Sequence, residues 1–374
     1  MNLAVSAVGP AAALDVLNLP VDGFTSHALS IAGPMLVRGE PGGFIVEGGG
    51  RQMARIGYSA TGACLSFKFE ADAASPAVIV VAVLEALFTC NPSLPSLKID
   101  LGAGAVQDEL LAQGAVETQA GSLVSRPELL MQLPAPFLGK ATPVYPEVAS
   151  FRNGVHHPQR PPKPAGTVYQ RTIPWLGRAL TFHVADPDRD LEAFHKWMND
   201  PRVAAIWQDE GDRAFHRKFL ADRLADPRTL PLIGSFGGTP FGYFELYWAK
   251  EDRLGPHYDA DAYDRGWHVA IGEDSFRGKG FVSAWLPSLM HYMFLADPRT
   301  RRIVGEPVHG HQQQIRNLDR SGFAKVKHVE FSHKRALLVM LLKERFFLDR
   351  LLFPDLSGPA DAAGPIGSLP RKSA

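Results

Sequence analysis

The feature that most constrains the fold is a hairpin that leads, through one further strand and a glycine-rich turn, into a helix. Residues 230–236 and 241–248 are apolar runs separated by a Gly-Gly pair, and glycine accepts the positive φ angles of a tight turn. Residues 266–271 form the next apolar run, and residues 283–296 carry apolar side chains at spacings of three and four. The pattern predicts an antiparallel sheet followed by a helix.

Strands and helices alternate on both sides of this segment. Before it, the sequence predicts a strand at 178–184, a helix through Leu191, Phe194, Trp197 and Met198, and a shorter helix through Phe215, Phe219 and Leu224. After it come a strand at 301–306, a helix at 312–321 that ends at Gly322, and a hairpin of 324–331 with 336–342. The order β-α-α-β-β-β-α-β-α-β-β predicts an α/β fold of the α+β kind.

Prolines mark a domain boundary. Seven of them lie between Pro143 and Pro174, and proline favours extended chain because it lacks an N–H group. We therefore predict an N-terminal α/β domain at 1–135, a linker at 136–172 and a second domain at 173–347. The stretch 348–374 is rich in Gly, Pro, Ala and Ser, which is typical of a disordered tail.

The end of the first domain resembles the end of the second. Residues 97–101 predict a strand, 106–113 a helix closed by Gly114, and two short strands follow, through Val124 and at 129–133. This similarity suggests a degenerate tandem copy, although strand-helix-hairpin is also a common unit that arises without duplication. The first domain has no Arg-Gly-x-Gly turn. A duplicate would therefore have lost cofactor binding.

The charge balance excludes one class of partner. Lys plus Arg and Asp plus Glu each number 39, so the chain has no net field that would attract a polyanion. Basic and aromatic residues do not cluster together as they do on nucleic-acid surfaces. We expect no nucleic-acid partner.

The remaining composition points to the cytoplasm. The first basic residue is Arg38, so the start does not resemble a secretory signal peptide. The most apolar stretch, 77–88, contains Glu85 and is shorter than the roughly 20 residues that cross a bilayer, which predicts a core helix and no membrane insertion. Two cysteines, Cys64 and Cys90, are too few for a disulfide framework and are expected to be buried.

The glycine-rich turn is the strongest chemical signal. Arg277, Gly278, Lys279, Gly280, Phe281 and Val282 stand between a predicted strand and a predicted helix. Glycines let the backbone approach a ligand, and the N–H groups at a helix start then face an anion. A pyrophosphate fits such a turn.

These residues resemble the GCN5-related N-acetyltransferases, the GNAT superfamily, whose Arg/Gln-x-x-Gly-x-Gly/Ala loop holds the pyrophosphate of CoA. Val282 stands where the second Gly or Ala is usual, but its N–H group is still present. The resemblance implies a mixed central sheet flanked by helices, and a degenerate tandem copy in the first domain would then be GNAT-like. It also implies acetyl-CoA or another acyl-CoA as co-substrate, and no permanently bound cofactor.

A narrower resemblance extends over residues 168–344. The chain looks like the acyltransferases of hydroxamate siderophore biosynthesis, the aerobactin, alcaligin and mycobactin group. The residues that carry this likeness are 197–203, 230–235, 245–252, 257–264 and 266–268. It implies transfer of an acyl group from CoA to the hydroxylated nitrogen of an N-hydroxylysine, N-hydroxyornithine or N-hydroxydiamine, with a siderophore synthetase and an amine monooxygenase in the same pathway.

By the same resemblance, His268 is the first catalytic candidate. It lies on the strand expected beside the pantetheine arm, and an imidazole can bind or deprotonate the incoming nitrogen. The main-chain N–H groups of Val269, Ala270 and Ile271 are the expected donors to the thioester and its oxyanion. No covalent nucleophile is needed, so we expect direct transfer within a ternary complex.

One motif departs from the family pattern. Relatives have acid-Pro-Asp after the next strand, with the Asp as a proposed base, whereas this chain has Glu306, Pro307 and Val308. Because valine cannot take a proton, either His268 acts alone or Glu306, His309 or a water takes that part. His309 and His311 have no carboxylate cluster beside them, so no metal is expected.

Five residues are candidates for the acceptor pocket. These are Trp207, Trp248, His257, Tyr258 and Asp259. Aromatic rings would cover the methylene chain of the acceptor, and Asp259 could pair with its distal ammonium. Core packing of the tryptophans and a solvated acidic loop at 259–264 are the alternatives.

Three other functions remain open from the sequence. Succinyl transfer to N-hydroxyputrescine or N-hydroxycadaverine would use the same frame, and so would acetylation of an ordinary amine. Val308 could also indicate lost activity, which would leave a non-catalytic CoA-binding or scaffold module in a siderophore assembly complex.

Overall fold

The computed structural model describes residues 17–27, 33–71, 75–102, 104–140, 143–152, 154–332 and 334–353, with only the backbone described at Lys279. These residues form two compact units, which divide after Pro136. Most of the predicted tail, from residue 354 onward, lies outside the described residues.

The first unit is built on one sheet and its helices. Its strands are β1 (Phe24–Ser26), β2 (Met35–Glu40), β3 (Gly43–Gly48), β4 (Arg51–Ser59), β5 (Cys64–Phe69), β6 (Leu97–Asp100), β7 (Glu117–Gln119) and β8 (Ser122–Ser125), and its helices are α1 (Pro76–Cys90), α2 (Ala105–Gln113) and α3 (Pro127–Leu130). The described strands follow the order β1-β2-β3-β4-β5-β6-β8-β7. Only β5 and β6 run parallel in this part of the chain.

Two predictions for this unit had opposite outcomes. The core helix predicted at 77–88 is confirmed, because every residue of that stretch is buried in α1. The strand predicted at 129–133 is wrong, since the chain forms α3 from Pro127 instead. Proline suits the first position of a helix, and Leu130 and Met131 are both buried, so the short apolar run was compatible with either structure. No helix in the described residues is long and apolar enough to cross a membrane.

The second unit carries a two-stranded sheet, a larger sheet and the remaining helices. Its strands are β9 (Ala149–Arg152), β10 (Val155–Pro158), β11 (Thr167–Ile173), β12 (Arg178–Val184), β13 (Thr229–Phe236), β14 (Thr239–Trp248), β15 (Arg265–Ile271), β16 (Arg302–Gly305), β17 (Ala324–Glu330) and β18 (Arg335–Leu342), and its helices are α4 (Leu191–Met198), α5 (Pro201–Trp207), α6 (Arg213–Ala225), α7 (Lys279–Ala296), α8 (Gln312–Arg320) and α9 (Lys343–Leu348). Among the described strands, the larger sheet has the order β11-β12-β13-β14-β15-β16-β18-β17.

The predicted hairpin is confirmed and explains the start of the sheet. Strands β13 and β14 pair antiparallel across Gly237 and Gly238, whose φ angles are +56° and +81°. Strand β12 has the limits predicted from the sequence. Strand β11 and helices α5 and α9 were not predicted from the sequence. Because β11 begins at Thr167, the large sheet starts inside the stretch assigned to the linker.

The two large sheets share their strand order. In both, the fifth and sixth strands form the single parallel pair among the described residues, and a helix connects them, α1 in the first unit and α7 in the second. The first unit joins its second and third strands directly, whereas the second unit inserts α4, α5 and α6 there. The shared order supports the tandem-copy interpretation, which stays a prediction.

Candidate active site

Strands β15 and β16 diverge and leave a gap in the sheet. Strand β15 pairs with β14 along its whole length, but with β16 only through Arg265 and Gly266 among the described residues. Trp207 donates its indole N–H to the carbonyl of Val269 (3.3 Å), and Arg277 donates to the carbonyl of Ile271 (2.8 Å). In an extended strand the N–H and C=O of one residue point to the same side, so the N–H groups of Val269 and Ile271 also face this gap.

Helix α7 begins at the end of that gap. Its first residue follows Gly278, whose φ of +104° favours glycine, and no side chain of the described residues caps this end. A Cβ added at Gly280 would contact only Leu176, at 3.7 Å, so the packing of the protein does not itself require glycine there. The N–H groups of the first turn therefore have no side-chain cap beside Arg277, which leaves them available to an anion.

The N–H group of Val282 has another partner. It donates to the carbonyl of Gly278 at 3.0 Å as the first hydrogen bond of α7. The expectation that this N–H group serves the pyrophosphate is therefore not supported by the geometry. The helix starts at Lys279, four residues before the predicted limit, and the N–H groups at 279–281 precede this first bond.

His268 lies between two glutamates. It is directly opposite Glu245 in the β14–β15 pairing, and Glu306 follows the last residue of β16. The Nδ1 atom of His268 is 3.5 Å from Glu245 Oε2, and its Nε2 atom is 3.3 Å from Glu306 Oε1. The imidazole is 28% exposed, whereas the two carboxylates are almost completely buried. The structure thus brings together both predicted catalytic residues.

Further donors hold each carboxylate. Glu245 accepts hydrogen bonds from the Tyr243 hydroxyl and the Arg223 guanidinium, both at 2.8 Å. For Glu306, the donors are the Tyr247 hydroxyl (3.0 Å) and the Arg253 guanidinium (3.0 Å), with the Lys334 ammonium 3.6 Å away. Burial alone would raise the pKa of Glu306, but its bond to His268 and the nearby cations lower it well below the ordinary range. Both carboxylates are therefore charged at neutral pH.

The glutamates also control His268. Burial lowers the pKa of an imidazole, yet the hydrogen bonds to Glu245 and Glu306 outweigh that effect and raise the pKa of His268 to about 9. At pH 7 the ring is consequently an imidazolium, and only about 1% of it is free base. The expected proton acceptor at neutral pH is therefore the minor form of His268.

This raised pKa predicts a pH-dependent contribution to stability. A raised pKa stabilises the folded state fully below the ordinary value of 6.5, and the contribution is lost as the pH rises to about 9. The free energy of unfolding of the protein minus that of a His268→Asn variant should therefore shrink by up to about 1.4 kcal/mol per pH unit across this range. Urea unfolding followed by tryptophan fluorescence measures it, because all six tryptophans lie in the second unit. A difference that does not change with pH would contradict the assignment.

The two predicted tryptophans lie in different places. The Trp207 ring is 6.2 Å from the His268 ring, at a steep angle, and so lines the site. Trp248 lies on the other face of the sheet, because side chains alternate along a strand and Trp248 is three residues from Glu245. Its ring is stacked between the guanidinium groups of Arg160 and Arg265, at 4.2 and 4.1 Å. The structure does not place Trp248 beside His268.

The predicted loop residues mostly anchor the loop. The Tyr258 hydroxyl donates to Asp264, the backbone carbonyl of Asp259 accepts from Arg302, and the Asp259 side chain is exposed. The His257 ring instead packs on Phe331, at 4.9 Å. Phe331 lies under the charged groups of Arg253 and Lys334, at 5.9 and 5.7 Å. His257 thus contacts the Phe331 ring beside Arg253 and Lys334, and Tyr258 packs against the apolar cluster that contains Tyr247.

The residues of the motif after Glu306 make their contacts away from His268. Val308 forms an isolated bridge with Ala336, the His309 ring packs on His328 at 4.5 Å, and His311 caps α8 by accepting from the Gln314 N–H. The described residues contain no group of three or more His, Cys, Asp or Glu that could hold a metal ion. His309 has its contacts outside the cluster around His268.

Several residues of the site were not predicted from the sequence. Glu245 had a usable signal, since it is the single charge within an apolar strand. Arg253 and Lys334 lie in loops, and no periodic pattern marks them. From the sequence alone, Tyr247 could equally be a packing residue, and Arg223 could equally be a surface residue. Their roles follow from the strand register and cannot be read from local sequence.

Comparison with known proteins shows which families and enzymes this chain resembles. Residues 186–331 match the family model of the acetyltransferase (GNAT) domain. The chain is 42% identical over 195 residues to the N(6)-hydroxylysine O-acetyltransferase of Escherichia coli, covering 52% of this chain and 62% of that protein. It is 44% identical over 197 residues to an N(5)-hydroxyornithine:cis-anhydromevalonyl coenzyme A-N(5)-transacylase of Beauveria bassiana, covering 51% of this chain and 43% of that protein.

The aminoglycoside acetyltransferase AAC(6')-Ib in complex with coenzyme A is one of the solved structures that the comparison matched to this chain. It is 23% identical, covers 46% of this chain and 99% of its own, and has a TM-score of 0.42. The chain spans 62% and 43% of the lengths of the two curated relatives above. The matched residues contain β13 to β17, His268, Glu306 and the start of α7, so residues 186–331 of the second unit are similar to acetyltransferase (GNAT) domains.

Proposed function

We propose that this protein transfers an acyl group from acyl-CoA to the hydroxylated nitrogen of a small N-hydroxylated amine, forming a hydroxamate. Acetyl-CoA and N6-hydroxylysine are the favoured pair. The observation that carries the proposal is the position of His268, held between Glu245 and Glu306 at a gap in the sheet that ends at the uncapped start of α7. This arrangement supports an acyl donor that carries a pyrophosphate and an acceptor that carries a reactive nitrogen.

The donor would lie along the gap. Its pyrophosphate would accept hydrogen bonds from the N–H groups of the first turn of α7, where the helix dipole favours an anion. The N–H groups of Val269 and Ile271 would face the pantetheine arm and the thioester oxygen, and stabilise the oxyanion that forms there. Arg277 borders this end of the gap, since its guanidinium donates to the carbonyl of Ile271.

The acceptor nitrogen needs little activation. A hydroxylamine is weakly basic and neutral at pH 7, so its nitrogen can attack the thioester carbon directly. The C–N bond forms, the C–S bond breaks, and CoA leaves as its thiol or thiolate. The one proton that the nitrogen loses passes to the neutral form of His268, and Glu306 and Glu245 stabilise the resulting imidazolium.

The relatives support this class of acceptor. One is named for N(6)-hydroxylysine and another for N(5)-hydroxyornithine. The first name specifies O-acetyl transfer, whereas we propose transfer to nitrogen, because the neutral nitrogen of a hydroxylamine is the stronger nucleophile. An enzyme that hydroxylates an amine must supply the substrate, and one that joins hydroxamates must use the product.

An assay with two readouts tests the proposal. The purified chain is incubated with acetyl-CoA and N6-hydroxylysine, and thiol release is measured together with the coloured ferric complex of the product. Both signals should appear, and plain lysine should give neither above background. Thiol release without ferric colour would indicate O-acylation. The absence of both signals, with succinyl-CoA and with N-hydroxydiamines as well, would contradict the proposal and favour a scaffold.

A further inference from the structure

A second polar cavity adjoins the site in the same unit. It has a volume of about 220 Å³, and its wall includes Arg152 on the β9–β10 hairpin and Lys250, Asp252 and Arg253 after β14. Neither the catalytic cluster nor the gap beside β15 includes Arg152 or Lys250. The cavity therefore requires an explanation of its own.

Two of its cations have no close anionic partner in the described chain, although Arg152 interacts electrostatically with Asp226 over a longer distance. Arg152 and Lys250 make no ion pair with the residues that the structure describes, whereas the neighbouring Arg228 is paired with Asp226 and Glu251 with Arg160. Together with Arg253, they bring three positive charges to one cavity. A carboxylate satisfies such a group well, because it accepts several charge-assisted hydrogen bonds at once.

Two buried polar atoms on the wall also lack partners. Within the described chain, His157 Nε2 and Asp252 Oδ1 have no hydrogen-bond partner, although the His157 side chain is only 7% exposed. The Nδ1 atom of His157 is 2.9 Å from the carbonyl of Pro158, which can only accept, so the hydrogen sits on Nδ1 and Nε2 is an acceptor in the neutral ring. Leaving such groups buried and unpaired costs about 1–3 kcal/mol each. An ammonium group would satisfy both acceptors.

Arg253 connects the cavity to the reacting centre. Its guanidinium lines the cavity and also lies 3.0 Å from Glu306 Oε1 and 3.3 Å from His268 Nε2. Five bonds separate the Nε and Cα atoms of a lysine, about 6 Å when extended. An acceptor whose hydroxylated nitrogen is at His268 can therefore place its other end beyond Arg253.

We propose that this cavity binds the α-amino acid head of the acceptor, with the carboxylate near Arg152, Lys250 and Arg253 and the α-ammonium near Asp252 and His157. The assignment rests on the proposed function and narrows it. It makes the acceptor a free N-hydroxylated amino acid and disfavours a decarboxylated diamine. A diamine would bring no anion to Arg152 and Lys250, whereas Arg253 already pairs with Glu306.

Substrate comparison gives the first test. N-hydroxycadaverine has the same chain and hydroxylated nitrogen as N6-hydroxylysine but no carboxylate. With acetyl-CoA, the kcat/KM for N6-hydroxylysine should be at least about 10-fold higher, which corresponds to about 1.4 kcal/mol. Equal values for the two substrates, or a preference for the diamine, would overturn the inference and leave the proposed acyl transfer intact.

Charge removal gives the second test. The double variant Arg152→Gln/Lys250→Gln should raise KM for N6-hydroxylysine about 10-fold or more, with kcat and the KM for N-hydroxycadaverine within twofold. The matched control is Lys218→Gln/Arg301→Gln, which removes the same charge at side chains that are 73% and 78% exposed and should change neither KM. Equal loss for both substrates, or no loss for either, would contradict the assignment.

Direct binding separates this inference from the proposed function. If the protein acylates no hydroxylated amine, titration calorimetry with N6-hydroxylysine still tests the cavity. The unmodified protein should then bind at least about 10-fold more tightly than the Arg152→Gln/Lys250→Gln variant. Equal affinities, or no binding to either protein, would contradict the inference.

Discussion

Replacing His268 by asparagine is expected to lower kcat by about 10²- to 10⁴-fold and to leave the affinity for acyl-CoA within about twofold. Within the described residues, the imidazole is the one titratable group that contacts both glutamates, and it lies beside the gap where the thioester is proposed to bind. The variant should still fold, because Glu245 keeps Arg223 and Glu306 keeps Arg253. Initial rates with acetyl-CoA and N6-hydroxylysine, together with calorimetric titration of CoA, measure the two quantities.

His309→Asn is the matched control. It makes the same chemical change at a ring that packs on His328 away from the glutamates, so kcat should stay within about twofold. An equal loss in both variants would mean that His268 has no special part in the reaction. Loss of CoA affinity in the His268 variant alone would indicate a structural role in the gap.

The pH dependence of the reaction gives a second test of the role of His268. If His268 accepts the proton, kcat/KM should rise with pH and level off near the pKa of about 9. Replacing Glu306 by glutamine removes one of the charges that raise this pKa, so the rising limb should move to lower pH. A limb that keeps its position in the Glu306→Gln variant would assign the titration to another group.

Local sequence predicted the parts of the fold that depend on local chemistry. The hairpin of β13 and β14 follows from two glycines that adopt positive φ, and β12 has the limits that its apolar pattern predicts. The position of His268 on a strand also followed from the apolar run around it. These features need only a few neighbouring residues.

The contacts of His268 with Glu245 and Glu306 could not be predicted from local sequence. Glu245 meets His268 only because the loop after Trp248 returns β15 in one particular register, and a shift by one residue would put their side chains on opposite faces. Glu306 comes from a strand that runs parallel after a helical crossover. Strand alternation, applied to β14, would nevertheless have placed Trp248 on the face away from Glu245.

Glycine itself explains why the start of α7 was misplaced. Glycine is a poor helix former, so the sequence favoured a helix that begins after Gly280, but the structure begins it at Lys279. The cost of glycine in this turn is offset if a ligand needs the backbone exposed. The same interpretation predicts a large loss of CoA affinity when Gly280 is replaced.

Replacing Gly280 by aspartate should weaken CoA binding at least about 100-fold and leave the fold as stable as before or more stable. The new side chain has room, since a Cβ would contact only Leu176 at 3.7 Å. An acidic residue in the first turn of a helix favours folding by about 0.3–1 kcal/mol, and removal of glycine adds to this. The same carboxylate would face the pyrophosphate, and a factor of 100 corresponds to about 2.8 kcal/mol of repulsion.

The opposite signs of the two effects make the experiment decisive. Calorimetric titration of CoA measures affinity and thermal unfolding measures stability, and a damaged fold would lower both. Gln312→Asp places the same carboxylate in the first turn of α8, which His311 caps, and should leave CoA affinity within about twofold. If Gly280→Asp binds CoA as well as the unmodified protein does, the start of α7 does not hold the pyrophosphate, and the donor must approach His268 by another route.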